Sequence, residues 1–224
     1  MNSFTEENYL KAIYKLLEKG ERKVTTNSIA ERVDTAPASV TDMLRKLADK
    51  KLIHYEKYQG VSLSASGKKI AVSVIRKHRL WELFLVDRLA FRWDEVHDIA
   101  EQLEHIQSDR LVQKLDQFLG KPKFDPHGDP IPDEKGFFHS RKTIPLTEIA
   151  ASSSAVMTGV KDHSPKFLQH LEKLGLSIGK EIKLVKHFEY DRSCVVTLKN
   201  KRAEIYLSSE AARNILVSEK KSTP

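Results

Sequence analysis

His97, Glu101, Glu104 and His105 stand at offsets of 0, 4, 7 and 8, which places all four on one stripe of an α-helix. If its only task were packing, this stripe would be apolar; it carries two imidazoles and two carboxylates instead. Ile99, Leu103 and Ile106 occupy another side of the same helix. Residues 94–109 contain no Lys or Arg, although a solvated helix usually interleaves them. Burying unpaired carboxylates is costly, so an inward stripe of this kind requires cations as partners. Upstream, His78 and Glu82 lie at i and i+4 on one face of a long helix expected from Ala65 to about Ala90, with Ser66 as its cap. Nitrogen and oxygen donors without a thiolate suit Mn²⁺ or Fe²⁺ better than Cu⁺ or a structural zinc. A solvent-facing polar stripe is the competing reading; it holds for any single pair and weakens for the set.

Charge is unevenly spread. The chain of 224 residues carries a formal net charge of +7. Residues 1–80 hold +7, residues 81–120 hold −5 and residues 121–224 hold +5. A basic head beside an acidic, His-bearing middle points to a polyanion contact in one region and a cation site in the other. The head has a matching pattern. Residues 5–19 place Tyr9, Leu10, Ile13, Leu16 and Leu17 at helical spacing. Thr25 or Thr26 can cap a short helix through Val33, and Asp34 to Pro37 form a turn before a helix that runs to about Lys50. Residues 52–55 and 61–63 read as two strands joined around Gln59 and Gly60. Together these form a winged helix-turn-helix.

The start of the third helix then faces the major groove. Pro37, Ala38, Ser39, Thr41 and Asp42 are small or polar there and let the backbone approach base edges, with Thr26 on the preceding helix. Arg45 and Lys46, with Lys57 and Gln59 on the wing, are placed to reach phosphates. For any one of these charges a merely solvated face explains the residue equally well.

Composition narrows the class. Hydrophobic residues make up 40% and charged residues 31%, enough to bury a normal core. No run approaches the roughly 20 apolar residues of a membrane span. Cys194 is the only cysteine, which rules out an internal disulfide and a cysteine-rich zinc site. The first residues enter an acidic helical pattern directly, unlike a signal peptide, so a reduced, cytoplasmic protein is expected. A helical carboxylate–histidine site in an enzyme is the rival from another class, but no nucleophile elbow or phosphate loop accompanies the ligands. A winged-helix regulator that senses an organic ligand is a second rival.

These residues resemble the diphtheria toxin repressor family of metal-dependent regulators, and within it the manganese transport regulators. The resemblance rests on Asn8-Tyr9-Leu10, Ile29-Ala30-Glu31, Pro37 through Leu47 and the wing string Tyr55 to Gly60. It continues in Ser66-Gly67-Lys68-Lys69, Lys77-His78-Arg79-Leu80 and the His97–His105 run. It implies a homodimer that binds double-stranded, palindromic operator DNA when a divalent metal is bound, acting as a repressor of metal-uptake genes. Carried over residue by residue, one metal site is His78, Glu82 and His97; the other is Asn8, Glu101, Glu104 and His105. Glu101 and Asn8 stand where iron-type members carry sulfur donors, which favours Mn²⁺ over Fe²⁺. Manganese-type members usually have acidic residues at positions 8 and 11. Lys11 cannot bind a cation, which favours two separate sites over a bridged pair.

Four prolines and two glycines between Gly120 and Pro132 mark a linker. His127 with Asp125 and Asp129 is read there as loop, not as a third metal site. Beyond it, residues 149–160 read as a strand, Ser164-Pro165 opens a helix stopped by Gly175, and three short strands precede a last helix from Ser208 through Ile215. This resembles the SH3-like, FeoA-like domain of longer members, in which Asp162 and His163 are further candidate ligands. Cys194 is expected to be a buried strand residue, and the tail after Val217 to lack structure. The expected fold is mainly α with small β parts. Its divisions are a winged helix-turn-helix over 1–72, a helical metal-binding and dimerisation domain over 73–121, a linker over 122–142, an SH3-like β-barrel over 143–218 and a tail over 219–224.

Overall fold

The computed structural model describes residues 2–18, 20, 23–56, 60–199 and 203–219. It divides into two compact units. The first comprises Met1–Trp81, Ala100–Lys121 and Ile131–Phe138; the second comprises Glu82–Ile99, Pro122–Pro130 and His139–Pro224.

In the first unit, α1 (Phe4–Glu18), α2 (Thr26–Arg32) and α3 (Pro37–Asp49) precede the hairpin of β1 (Ile53–Glu56) and β2 (Gly60–Leu63). Thr25 is the N-cap of α2, forming a reciprocal capping box with Ser28. Pro37 opens α3, where its missing N–H costs nothing. Leu10, Ile13, Ile29, Val40, Leu44 and Leu47 bury their side chains in one core. Ser64, not Ser66, caps α4 (Ala65–Leu89): its Oγ accepts the Gly67 N–H at 3.1 Å. Ser66 instead donates to the Lys51 carbonyl. Gly67 is needed because a Cβ there would overlap the Leu52 carbonyl oxygen, so α4 starts in backbone contact with the strand region. α6 (Asp109–Phe118), capped by Ser108, completes the helices of this unit.

α5 (His97–Leu103) is shorter than the stripe implied, because Glu104 and His105 lie in the turn that follows it. The second unit centres on a six-stranded antiparallel sheet. Its strands are β3 (Ile144–Pro145), β4 (Ser154–Val160), β5 (Glu181–His187), β6 (Cys194–Leu198), β7 (Glu204–Leu207) and β8 (Ile215–Glu219), in the order β3-β8-β4-β5-β6-β7. α7 (Pro165–Lys173) follows Ser164, and α8 (Ser209–Asn214) is capped by Ser208. Leu146, Met157, Leu168, Leu171, Ile182, Leu184, Val196 and Ile215 form its core.

Three sequence expectations change here. The strand expected from Ile149 starts at Ser154, because a bend at Ile149 and a turn at Ala151 and Ser152 intervene. Ile215 belongs to β8, not to the last helix. The tail expected to be without structure after Val217 continues as strand to Glu219, with Ser218 and Glu219 pairing with β4. Cross-strand pairing supplies what the Lys- and Ser-rich local sequence does not. Cys194 is fully buried on β6, as expected.

Candidate metal centres and nucleic-acid interface

In the first unit, α1 brings Glu7 and Lys11 to the residues at and just after the end of α5. Lys11 Nζ lies 2.6 Å from Glu101 Oε1 and 2.6 Å from Glu104 Oε1. Glu104, with no exposed surface, also meets His78 Nδ1 through its other oxygen at 2.7 Å. His105 Nδ1 is 2.7 Å from Glu7 Oε2, Gln107 donates to Glu7 Oε1 at 2.8 Å, and Phe4 stacks on the His105 ring at 4.7 Å. Asn8 Oδ1 is buried without a hydrogen-bond partner. A buried carbonyl oxygen without a donor among the described residues is an unmet demand for a positive partner. Of the four residues expected together here, Asn8, Glu101, Glu104 and His105, all belong to this unit. Sequence reasoning missed Glu7 as a partner of His105. The available signal was the carboxylate immediately before Asn8 in the first turn of α1.

The second unit holds another group. Glu82 near the end of α4, Asp125 and His127 are each at least 94% buried, and one ligand atom of each lies within 4.8 Å of the others. The proline-rich loop makes this possible. Asp125 Oδ1 accepts the His127 and Asp129 N–H groups, and the His127 carbonyl accepts the Val160 N–H of β4. Gly128, at φ +91°, lies so close to β4 that a Cβ would overlap the Thr158 carbonyl oxygen.

His127 Nε2 is 2.8 Å from the Trp93 carbonyl, which can only accept, so Nε2 carries the hydrogen. In the neutral ring Nδ1 is left as a lone pair. It has no hydrogen-bond partner and lies 3.7 Å from Glu82 Oε2. That is the orientation in which a second-nitrogen contact prepares an imidazole to bind a metal. Burial pulls the ring's pKa down, but Glu82, Asp125 and the Trp93 carbonyl outweigh it and hold the value at about 9. The pocket attracts positive charge.

His97, with its side chain 48% exposed, reaches Glu82 Oε1 at 3.4 Å in this unit. The His163 ring stacks on His127 at 4.9 Å, while Asp162 Oδ1 caps the Ser164 N–H at the start of α7. Asp125 and His127, read from sequence as plain loop, therefore join Glu82. Spacing within a proline loop cannot reveal convergence with a helix more than 40 positions away.

On α3, Pro37, Ala38, Ser39, Asp42, Arg45 and Lys46 are exposed and Thr41 is half-buried, its hydroxyl donating to the Pro37 carbonyl. Thr26 is half-buried in the first turn of α2. Among the described residues, Arg45 makes only a long, solvent-exposed contact with Asp42 at 3.5 Å. Lys46 and Lys50 both reach Glu6 on α1, at 3.1 and 2.8 Å. Burial raises the Glu6 pKa, yet hydrogen bonds from Lys50, the Ser3 backbone and Lys46 bring it down to about 2. Lys57 and Gln59 lie outside the described residues.

Comparison with known proteins agrees with this arrangement. Residues 2–61 match the N-terminal DNA binding domain of iron dependent repressors, residues 64–133 their metal binding and dimerisation domain, and residues 144–219 the FeoA domain. The diphtheria toxin repressor of Corynebacterium diphtheriae is 27% identical over 96% of this chain and 97% of its own length. That of Corynebacterium jeikeium is 37% identical over 57% of this chain, and the match spans about half of it, 53%. Among solved structures, a manganese-dependent transcriptional repressor in complex with manganese matches at a TM-score of 0.84 and 34% identity, covering 96% of this chain and 100% of that one. No helix of the described residues is long and apolar enough to cross a membrane.

Proposed function

The chain belongs to the iron-dependent repressor family of metal-dependent transcriptional repressors, and on that premise we propose that it is a cytoplasmic, Mn²⁺-activated repressor of metal-uptake genes. In this reading it binds a palindromic operator as a homodimer. The observation that carries it is the buried set Glu82, Asp125 and His127, in which one ligand atom of each lies within 4.8 Å of the others. Its donors are oxygen and nitrogen only, which suits a hard divalent ion.

Glu82, Asp125 and His127 would hold one metal. Asn8, Glu101, Glu104 and His105 would hold a second, with Lys11 beside it in place of a bridging partner. A bound divalent ion supplies two positive charges to groups that otherwise share protons and one ammonium. Asn8 sits on α1, whose Leu10 and Ile13 pack in the same core as Val40 and Leu44 of α3. Ligation by Asn8 therefore constrains the helix against which the recognition helix rests, an allosteric link between metal and DNA. Leu111 and Phe118, exposed on α6 by 40% and 61%, offer apolar surface for the partner subunit. The proposed parts are a DNA-binding part over 1–72, a dimerisation part over 73–121 and an SH3-like part over 143–218.

Fe²⁺ is the second reading, favoured by two imidazoles among the carboxylates and by the iron dependent repressor models. The test is operator binding titrated with Mn²⁺, with Fe²⁺ under anaerobic conditions, and then with chelator. Reversible binding with Mn²⁺ as the more potent ion supports the proposal; stronger activation by Fe²⁺ selects the second reading. Binding indifferent to all metals removes both.

A further inference from the structure

The first unit contains an open cavity of about 660 Å³ between the first half of α4, the start of α6 and residues 133–136. Its size falls in the range of small-molecule sites, roughly 300–1,000 Å³. It is separate from both candidate metal centres, and its character is cationic.

Lys77 is one of its lining residues. The residue is 7% exposed, and among the described residues its ammonium has no ion-pair or hydrogen-bond partner. Burying a lysine in this way is costly unless an anion meets it. The carboxylates that act on Lys77 electrostatically are Glu7, Glu104 and Asp109. Glu7 is engaged with His105 and Gln107, and Glu104 with Lys11 and His78. Only Asp109 also lines the cavity.

Lys68 and Lys69, exposed on α4, and Lys135, exposed on the opposite loop, add three further cations. Arg76 is spoken for: it forms an ion pair with Asp116 at 3.2 Å and donates to the Pro132 carbonyl. Of the acids at the rim, Asp133 spends an oxygen on the Lys135 and Phe137 backbone N–H groups. Four lysines thus stand against three acids, Asp109, Asp133 and Glu134. Between the charged ends, Val72 and Val112 supply an apolar wall.

We propose that this cavity is a binding site for a small phosphate ester of nucleotide size, its phosphate held by Lys77 with Lys68, Lys69 and Lys135 and its organic part against Val72 and Val112. Lysine ammonium groups act as compact point charges toward phosphate, and the buried one gains most because solvent competes least. Lys77 directly precedes His78 on α4, whose Nδ1 meets Glu104 at 2.7 Å. The site itself does not depend on the metal reading.

The experiment is calorimetric titration of the full-length, metal-free protein with adenosine monophosphate and, separately, with inorganic phosphate. Saturable binding of the nucleotide is expected, weakened about tenfold in Lys77→Met, the size of one lost charge-assisted contact. Lys69→Ala and Lys135→Ala, which replace exposed side chains, should each weaken it about threefold on the same basis and leave the Mn²⁺ titration as in wild type. If Lys77→Met does not fold, the Lys69→Glu/Lys135→Glu double variant carries the test and should abolish binding. Equal affinity for phosphate and nucleotide would support the site with the free anion as its ligand. Absence of saturable binding by either, or nucleotide binding unchanged in the lysine variants, overturns the proposal.

Discussion

Lys11 Nζ bridges Glu101 and Glu104, 2.6 Å from an oxygen of each, so a cation from α1 already lies between two carboxylates of the α5 region. Lys11 is 6% exposed and Glu104 fully buried, so little water screens the pair. The ammonium and a metal ion compete for the same oxygens. Lys11→Met should therefore destabilise the metal-free protein by about 3–5 kcal/mol, the usual cost of leaving a buried charge unpaired. Added Mn²⁺ should raise the melting temperature of the variant more than that of wild type. Thermal unfolding with and without metal measures both, and an equal metal-induced shift would contradict the competition.

Asp125 supplies the third group to Glu82 and His127 and sets its hardness. Asp125→Cys replaces a carboxylate oxygen with a soft sulfur. The affinity for Cd²⁺ relative to Mn²⁺ should rise on the order of tenfold, about 1.4 kcal/mol, in competitive titration. An unchanged ratio would show that Asp125 is not a ligand.

Gly128 permits the loop to lie against β4. Gly128→Ala adds a Cβ where the Thr158 carbonyl sits and a side chain to a positive φ. A loss of roughly 1–3 kcal/mol is expected in denaturant unfolding, with weaker Mn²⁺ binding. Wild-type stability in the variant would mean that the loop does not rest there in solution.

Arg45, with its side chain 70% exposed at the start of the recognition surface, is free to reach a phosphate. Arg45→Ala should weaken operator binding and lower the slope of log affinity against log salt by about one. Metal titration should not change. A slope equal to wild type would place the residue off the DNA.

Cys194 is buried on β6, and burial pushes its thiol up to about 11. Near pH 8 it should be protonated and inaccessible, reacting with a thiol reagent only after unfolding. Fast labelling of the folded protein would contradict its place in the core.

The winged helix was legible because its determinants are local. Apolar residues at helical spacing, Thr25 before α2, Pro37 at the start of α3 and Gly60 in the hairpin each act within a few residues. For the expected set Asn8, Glu101, Glu104 and His105, helical spacing suggested three of the residues and resemblance supplied Asn8, but Glu104 and His105 lie in the turn after α5 and not on the helix. The helix cap at Ser64 and strand β8 were misread. Two serines two residues apart differ only in which oxygen meets Gly67 N–H, and β8 depends on β3 and β4, distant in sequence.

By itself, then, the sequence determined the helices, the hairpin and the demand for cations, because periodicity, capping and charge scarcity act over one or two turns. Tertiary structure alone decided which cation meets which carboxylate. It set Lys11 between Glu101 and Glu104, joined Glu7 to His105 and brought Asp125 and His127 from a proline loop to Glu82. Those pairings rest on close approaches such as Gly128 against Thr158, between segments with no local signal of their meeting, and desolvation makes their charges matter only once they have met.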